Sequence, residues 1–190
     1  YGTLRVDKID ADSGASLAGA TVEIKHIESG VTQTGTTDLG GSVYFDKLKP
    51  GAYQVREVSA PSGYVKDGQT YTVNVTSGTE TSFVLKNQAK PGLIITKYDE
   101  KTYEVLPDVT FEVYRDTVLI GSFSTDEMGQ IRMTDLQPGT YLVKEVSTSA
   151  GYVLDSTPQQ IELTAGGGIK TLTFFNTVKP GIHIIKVDSR

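Results

Sequence analysis

The sequence repeats itself at a fixed interval, and this repeat constrains the fold more than any other feature of the 190 residues. Segment 8–24 resembles segment 97–113, and segment 83–87 resembles segment 172–176, so the interval is 89 residues in both cases. The units of solenoid proteins are shorter, ~20–50 residues. A period of this length therefore predicts tandem globular domains.

The repeat divides the chain into three segments. We predict one domain over residues 1–90, a second over 91–180, and the start of a truncated third copy over 181–190. A Lys-Pro-Gly sequence at 90–92 returns at 179–181 and marks short linkers between the copies. Because the chain opens on Tyr1 and not on Met, we interpret it as an internal segment of a longer protein.

Each copy has the sequence pattern of β-strands. Runs rich in Val, Ile, Thr, Tyr and Phe occupy positions 21–27, 53–58, 71–75 and 81–85, and Gly, Pro, Asp and Ser separate them. No long stretch has the period of an amphipathic helix. Several short strands in about 90 residues predict an all-β fold, with one small antiparallel β-sandwich or barrel in each copy.

The composition excludes several kinds of site and partner. The chain has no Cys, so it contains no disulfide, thiolate metal site or Cys nucleophile. Its net charge is -5, and no cluster of Lys and Arg is present, which argues against nucleic acid and anionic membrane as partners. No apolar run approaches the ~18 residues of a membrane-spanning helix.

Three polar residues in each copy occupy positions where the strand pattern expects apolar ones. Residues two apart on a strand share a face. On that basis one Lys, one Glu and one Asn continue the core-facing side of three strands in each copy; they are Lys8, Glu57 and Asn87 in the first and Lys97, Glu145 and Asn176 in the second. Lys186 repeats the lysine position in the truncated third copy.

Three explanations fit these residues. They could lie at strand ends, where the stem of the lysine packs and its ammonium group reaches water. They could form a buried Lys–Glu salt bridge beside an uninvolved Asn. They could also react, because desolvation lowers the pKa of an amine and raises that of a carboxylic acid, which leaves a neutral, nucleophilic lysine. An acid that polarises the Asn carbonyl and transfers protons to departing ammonia would then give a Lys–Asn isopeptide bond.

The segment 53–64, YQVREVSAPSGY, resembles the E-box of pilin and adhesin repeats from Gram-positive bacteria. Together with the Lys8 segment and Asn87, it makes each copy similar to a Cna B-type domain, also called SpaA-like or prealbumin-like. The resemblance implies a transthyretin-like or Ig-like sandwich with an isopeptide bond, Lys8–Asn87 promoted by Glu57 and Lys97–Asn176 promoted by Glu145. In the second copy Ser149 replaces the E-box proline, which leaves the rigidity of that loop open.

The resemblance also implies a role. We expect structural stalk repeats of an extracellular adhesin or pilus protein that is anchored to the cell wall of a Gram-positive bacterium. The alternatives are an adhesive module for host matrix protein or carbohydrate, and a part of a sortase-polymerised pilin. Expected partners are neighbouring repeats of the same chain and sortase-linked cell wall or pilus subunits, with any host ligand unidentified and no membrane contact in this segment. A conventional enzyme is not expected, since the bond forms in a single autocatalytic turnover.

No cofactor or metal is expected. The sequence from Asp10 to Gly14 has the first two alternating acids of a calcium loop, but it lacks the Glu that the loop needs at its twelfth position, and we interpret it as a turn. The two histidines, His26 and His183, do not occupy equivalent positions in the repeat, so we assign neither of them a catalytic role.

Overall fold

The computed structural model describes residues 1–182. The prediction for the third copy therefore lies almost entirely outside the described residues, including Lys186 and His183. Within residues 1–182 the structure contains β-strands and no helix. The strands are β1 (Gly2–Asp10), β2 (Thr21–His26), β3 (Thr32–Thr36), β4 (Ser42–Leu48), β5 (Gly51–Ser59), β6 (Thr70–Val75), β7 (Glu80–Asn87), β8 (Gly92–Asp99), β9 (Thr110–Arg115), β10 (Val118–Ser124), β11 (Gln130–Met133), β12 (Gly139–Ser147), β13 (Gln159–Leu163) and β14 (Ile169–Asn176).

The strands form two sandwiches with the same topology. In the first domain a three-stranded sheet, in the order β4-β1-β7, accompanies a four-stranded sheet, in the order β3-β2-β5-β6. In the second domain the corresponding orders are β11-β8-β14 and β10-β9-β12-β13. The prediction of an all-β fold with two tandem sandwiches is confirmed.

One strand pair in each domain departs from the expected antiparallel arrangement. The first and last strands of the repeat, β1 and β7, pair in parallel, and so do β8 and β14. All other described ladders are antiparallel. Parallel neighbours need a long crossover connection. Here the intervening strands supply it, because the chain passes through the facing sheet before it returns beside β1.

The core of each domain is the apolar layer between its two sheets. On β1 every second residue from Gly2 to Asp10 is buried, so the inward face alternates with a partly exposed outward face. Inward side chains from the facing sheet complete the first core, among them Val22, Ile24 and Val55. Burial of each such aliphatic side chain stabilises the fold by about 1.5–3 kcal/mol.

The contacts divide the chain into two compact units whose main boundary falls between Pro91 and Gly92. The first unit also includes two short segments, Asp135–Gln137 and Thr164–Gly168. In residues 1–182 no helix is long and apolar enough to cross a membrane.

Candidate functional site

Strand pairing places the Lys and the Asn of each copy on adjacent strands. Lys8 lies on β1 and Asn87 at the end of β7, the parallel neighbour of β1. Glu57 reaches the same point from β5 in the facing sheet. The second copy repeats this arrangement with β8, β12 and β14. The six predicted site residues therefore form two clusters, one within the core of each sandwich.

All six side chains are removed from solvent. Lys8, Lys97 and Glu145 are 0% exposed, and Glu57, Asn87 and Asn176 are each 2% exposed. A lysine whose nitrogen is buried cannot extend its ammonium group to water. The explanation that these residues lie at strand ends with their charged groups in solvent is therefore wrong.

In the second domain the three side chains form a closed set of hydrogen bonds. Lys97 Nζ donates to Glu145 Oε2 at 2.7 Å and to Asn176 Oδ1 at 2.7 Å. Asn176 Nδ2 donates to Glu145 Oε1 at 2.6 Å. One carboxylate thus contacts both the amine nitrogen and the amide nitrogen, and the Asn is not an uninvolved neighbour of a salt bridge.

In the first domain the same groups meet in a looser arrangement. Lys8 Nζ lies 3.1 Å from Glu57 Oε1, within ion-pair distance but without hydrogen-bond alignment. Asn87 Nδ2 donates to Glu57 Oε2 at 2.9 Å, whereas Asn87 Oδ1 has no hydrogen-bond partner. The carboxylate again lies between the amine and the amide nitrogen.

The hydrogen bonds fix the orientation of the amide. In both copies the NH2 group faces the carboxylate, and in the second copy the carbonyl oxygen faces the lysine nitrogen. The reversed orientation would place the carbonyl oxygen of Asn176 against the carboxylate of Glu145. Two acceptors would then oppose each other in a buried site, where unpaired polar groups are costly.

Burial lowers the pKa of both lysines. For Lys8 the main cause is desolvation, which the negative charge of Glu57 opposes. For Lys97 desolvation again dominates, against the hydrogen bond and the charge of Glu145. A lysine with a lowered pKa has a larger fraction of neutral amine, the form that acts as a nucleophile.

Aromatic rings surround the second lysine. Lys97 Nζ lies 6.0 Å from the ring centroids of both Phe111 and Phe174, which pack on each other at 4.8 Å. Val22 and Leu85 stand at the equivalent positions of the first domain. The rings help to shield the buried nitrogen from water, and both lie within the ~6 Å at which a ring attracts a cation.

The loop after the E-box strand supplies contacts that the sequence did not reveal. The backbone N–H of Asp67 donates to Glu57 Oε2 at 2.6 Å, and the carbonyl of Val65 accepts from Asn87 Nδ2 at 2.6 Å. These are main-chain groups, which every residue type carries, so no sequence signal could have identified them. In the second domain Thr148 Oγ1 accepts from Asn176 Nδ2. The sequence does show that Thr148 has a hydroxyl where the first copy has Ala60. It does not show that this hydroxyl contacts the Asn.

The E-box tyrosines join this loop to the end of the first strand. Tyr64 pairs with Ala89, and its hydroxyl donates to Asp10. Tyr152 pairs with Val178 in the second domain. These contacts hold the loop beside the strand end that carries the Asn.

Two weaker sequence features have structural roles. Asp10 Oδ1 accepts from the backbone N–H groups of Asp12 and Ser13, which is a side-chain-stabilised turn. Residues 1–182 contain no group of three or more His, Asp and Glu side chains placed to bind a metal. His26 is buried, and its ring packs against that of Tyr53 with the centroids 4.8 Å apart and the ring planes tilted by 50°.

Replacement of the E-box proline does not change the turn. Tyr64 N donates to the carbonyl of Pro61 at 3.2 Å, and Tyr152 N donates to that of Ser149 at the same distance. Ser149 Oγ also donates to the carbonyl of Pro107 at 2.6 Å, a bond that a proline cannot make.

The sequence model of the SpaA prealbumin-like fold domain matches residues 2–89 and, a second time, residues 91–178. The chain belongs to this family. Each of its two SpaA domains contains one complete Lys, Glu and Asn set. The resemblance read from the E-box is therefore confirmed at the level of the family.

Relatives of these SpaA domains include much longer proteins. Serine-aspartate repeat-containing protein D of Staphylococcus aureus strain Newman is 33% identical over 162 residues, a match that covers 72% of this chain and 12% of that protein. The Bacillus anthracis TIE protein is similar in structure, with a TM-score of 0.50 and 29% identity over 93% of this chain and 34% of that one.

The shaft pilin SpaA of Lactobacillus rhamnosus GG has the same fold. Its TM-score is 0.57 with 14% identity, and the match covers 96% of this chain and 99% of that chain. An identity this low relates the two proteins in fold alone.

Proposed function

We propose that the two domains are structural repeats of an extracellular surface protein of a Gram-positive bacterium, an adhesin stalk or a pilus component. Each domain is stabilised by an intramolecular isopeptide bond, Lys8–Asn87 in the first and Lys97–Asn176 in the second. Membership of the SpaA family and the similarity to surface and pilus proteins support the location. Cell-wall anchoring and association with neighbouring repeats belong to the same proposal.

One observation carries the proposed chemistry. In both cores a single carboxylate contacts the nitrogen that would attack and the nitrogen that would leave. Neutral Lys Nζ attacks Cγ of the Asn, and an Nζ–Cγ bond forms. The proton released by Nζ passes through the glutamate to Nδ2. The Cγ–Nδ2 bond then breaks, and one molecule of ammonia leaves.

The hydrogen bonds refine the role of the glutamate. From the sequence, two tasks are expected of it, to polarise the carbonyl and to transfer protons. In both domains its oxygens contact the lysine nitrogen and the amide nitrogen of the Asn. This arrangement favours proton transfer from nucleophile to leaving group, the general acid–base function.

Proximity replaces an external catalyst. The reactants occupy adjacent strands of one folded domain, and intramolecular reactions of well-oriented groups reach effective concentrations of about 10⁵–10⁸ M.

The intact mass of the purified chain tests the proposal. Two bonds remove two molecules of ammonia, so the mass is expected about 34 Da below that of the sequence. Digestion followed by fragmentation should locate one cross-link between residues 8 and 87 and the other between residues 97 and 176. A mass equal to that of the sequence would refute the cross-links.

A further inference from the structure

The two domains hold the leaving nitrogen of the Asn by different means. In the first domain the second N–H of Asn87 bonds to the carbonyl of Val65. In the second domain the corresponding N–H of Asn176 bonds to the side-chain hydroxyl of Thr148. The residue that aligns with Thr148 is Ala60, which has no polar group on its side chain.

The hydroxyl completes the set of bonds around the second amide. Asn176 Nδ2 donates one N–H to Glu145 Oε1 and the other to Thr148 Oγ1. Two acceptors on one NH2 group fix the plane of the amide. Asn176 Oδ1 accepts from Lys97 Nζ at 2.7 Å, so the amine lies beside the carbonyl group that it would attack.

From this difference we infer that Thr148 is a further functional residue of the second domain, whose hydroxyl holds Nδ2 of Asn176 during cross-linking. The inference rests on the reaction proposed above. The Lys97 Nζ–Asn176 Cγ bond forms, the Cγ–Nδ2 bond breaks, and Glu145 passes the proton from Nζ to Nδ2. Thr148 exchanges no proton in this step. It accepts a hydrogen bond from the nitrogen that departs as ammonia and keeps that nitrogen beside the glutamate.

Only in the second domain can a side-chain substitution remove the acceptor for this N–H of the Asn. The first domain uses a backbone carbonyl for the same purpose, and no side-chain replacement removes that group. The second domain uses a side chain that Val can replace at nearly the same volume. Cross-linking of the first domain in the same molecule therefore serves as an internal control for every Thr148 variant.

The experiment follows the rate of each cross-link in the complete chain. Parent, Thr148→Val, Thr148→Ser and Thr148→Ala chains are made by cell-free synthesis, quenched in acid at intervals, and digested. Mass spectrometry then gives the cross-linked fraction of the 8–87 and 97–176 peptide pairs. The Val and Ala variants should form the second bond about 10-fold more slowly, the factor expected for loss of one hydrogen bond of about 1.4 kcal/mol. The Ser variant should react at nearly the parent rate, and the first bond should form equally fast in all four chains.

The outcomes separate this inference from the proposed function. If the Val and Ala variants form the second bond at the parent rate, Thr148 does not hold the leaving nitrogen, and the inference is overturned while the cross-links stand. If the parent chain forms neither bond, the proposed function fails as well. The Ala variant guards against misfolding of the Val variant, because the first domain already has Ala at this position.

Discussion

Lys8 and Asn87 lie on neighbouring parallel strands, two positions out of register: Lys8 stands opposite Leu85, and Asn87 stands opposite Asp10. The strands that begin and end the domain are thus adjacent and point the same way. Tension applied to the two ends pulls them past each other in shear. A bond from Lys8 to Asn87 would pass this load directly from one terminal strand to the other. The same relationship holds for Lys97 and Asn176 on β8 and β14.

The first prediction concerns extension under force. Lys97 and Asn176 are 79 positions apart, as are Lys8 and Asn87. A cross-link between the two residues of a pair prevents the chain between them from being extended. In single-molecule pulling the parent chain should show no unfolding step from within the bonded segments. A Glu57→Gln/Glu145→Gln chain, which keeps the shape of the site but not its proton carrier, should release about 260–280 Å for each domain. Steps of this length in the parent chain would contradict the closed loop.

The second prediction assigns each glutamate to its own bond. Glu57→Gln should abolish the Lys8–Asn87 bond and leave Lys97–Asn176 intact, and Glu145→Gln should do the reverse. Each variant should lose one molecule of ammonia where the parent loses two. Its mass, corrected for the substitution, should therefore lie about 17 Da above that of the parent, because the amine and the amide remain but the proton carrier is lost. Intact mass measures this directly.

A surface glutamate provides the matched control. Glu23 pairs with Arg56 at 2.7 Å on a partly exposed face of the sheet, outside the two buried clusters. Glu23→Gln should lose both molecules of ammonia like the parent. If Glu57→Gln does so too, Glu57 is not the proton carrier.

The third prediction concerns thermal stability. Closing a loop of about 79 residues restricts the unfolded chain and stabilises each domain by roughly 4–5 kcal/mol in the loop-entropy model for cross-links. The Glu57→Gln/Glu145→Gln chain should therefore unfold about 20–30 °C below the parent. Scanning calorimetry measures the unfolding temperature of the parent and of the variant. Equal unfolding temperatures would mean that the bonds, even if formed, do not stabilise the fold.

The fourth prediction concerns acid. Hydrogen bonds from the Ser13 backbone N–H, the Tyr64 hydroxyl and the Asp12 N–H lower the pKa of Asp10 to about 2. The folded-state pKa lies below the unfolded value of about 3.9, so ionised Asp10 stabilises the fold above that pH. This contribution should disappear as the pH falls from about 4 towards 2. Asp99 has a pKa lowered in the same direction, mainly by the backbone N–H of Thr102.

Denaturant unfolding at several pH values checks this, best in the chain without cross-links. Asp10→Asn should lower the free energy of unfolding at pH 7, and the difference from its parent should narrow below about pH 4. Tyr64→Phe removes one donor and should raise the pKa of Asp10, which carboxyl NMR would detect. If the difference in the free energy of unfolding between Asp10→Asn and its parent stays constant from pH 7 to pH 2, Asp10 is not the titrating group.

Much of the site could be predicted because the alternation of core-facing and outward-facing residues along a strand is a local pattern. Alternation along a strand places every second residue on one face, so Lys8 after Leu4 and Val6 had to face the core once that strand formed. The same reasoning applies to Glu57 after Tyr53 and Val55. Recurrence of the pattern at Lys97 and Glu145 showed that it was not an accident of one strand.

By itself the sequence determined the tandem repeat, the strand pattern and the six polar residues of the two cores. Only the tertiary structure decided that the terminal strands are parallel neighbours, that each glutamate spans both nitrogens, and that Val65 and Thr148 hold the Asn amides. The physical reason lies in the range of the interactions. Alternation and turns depend on nearby residues, whereas strand order depends on how two sheets pack across the whole domain. A backbone carbonyl, moreover, is the same chemical group at every position and acquires a particular role only where the fold places it.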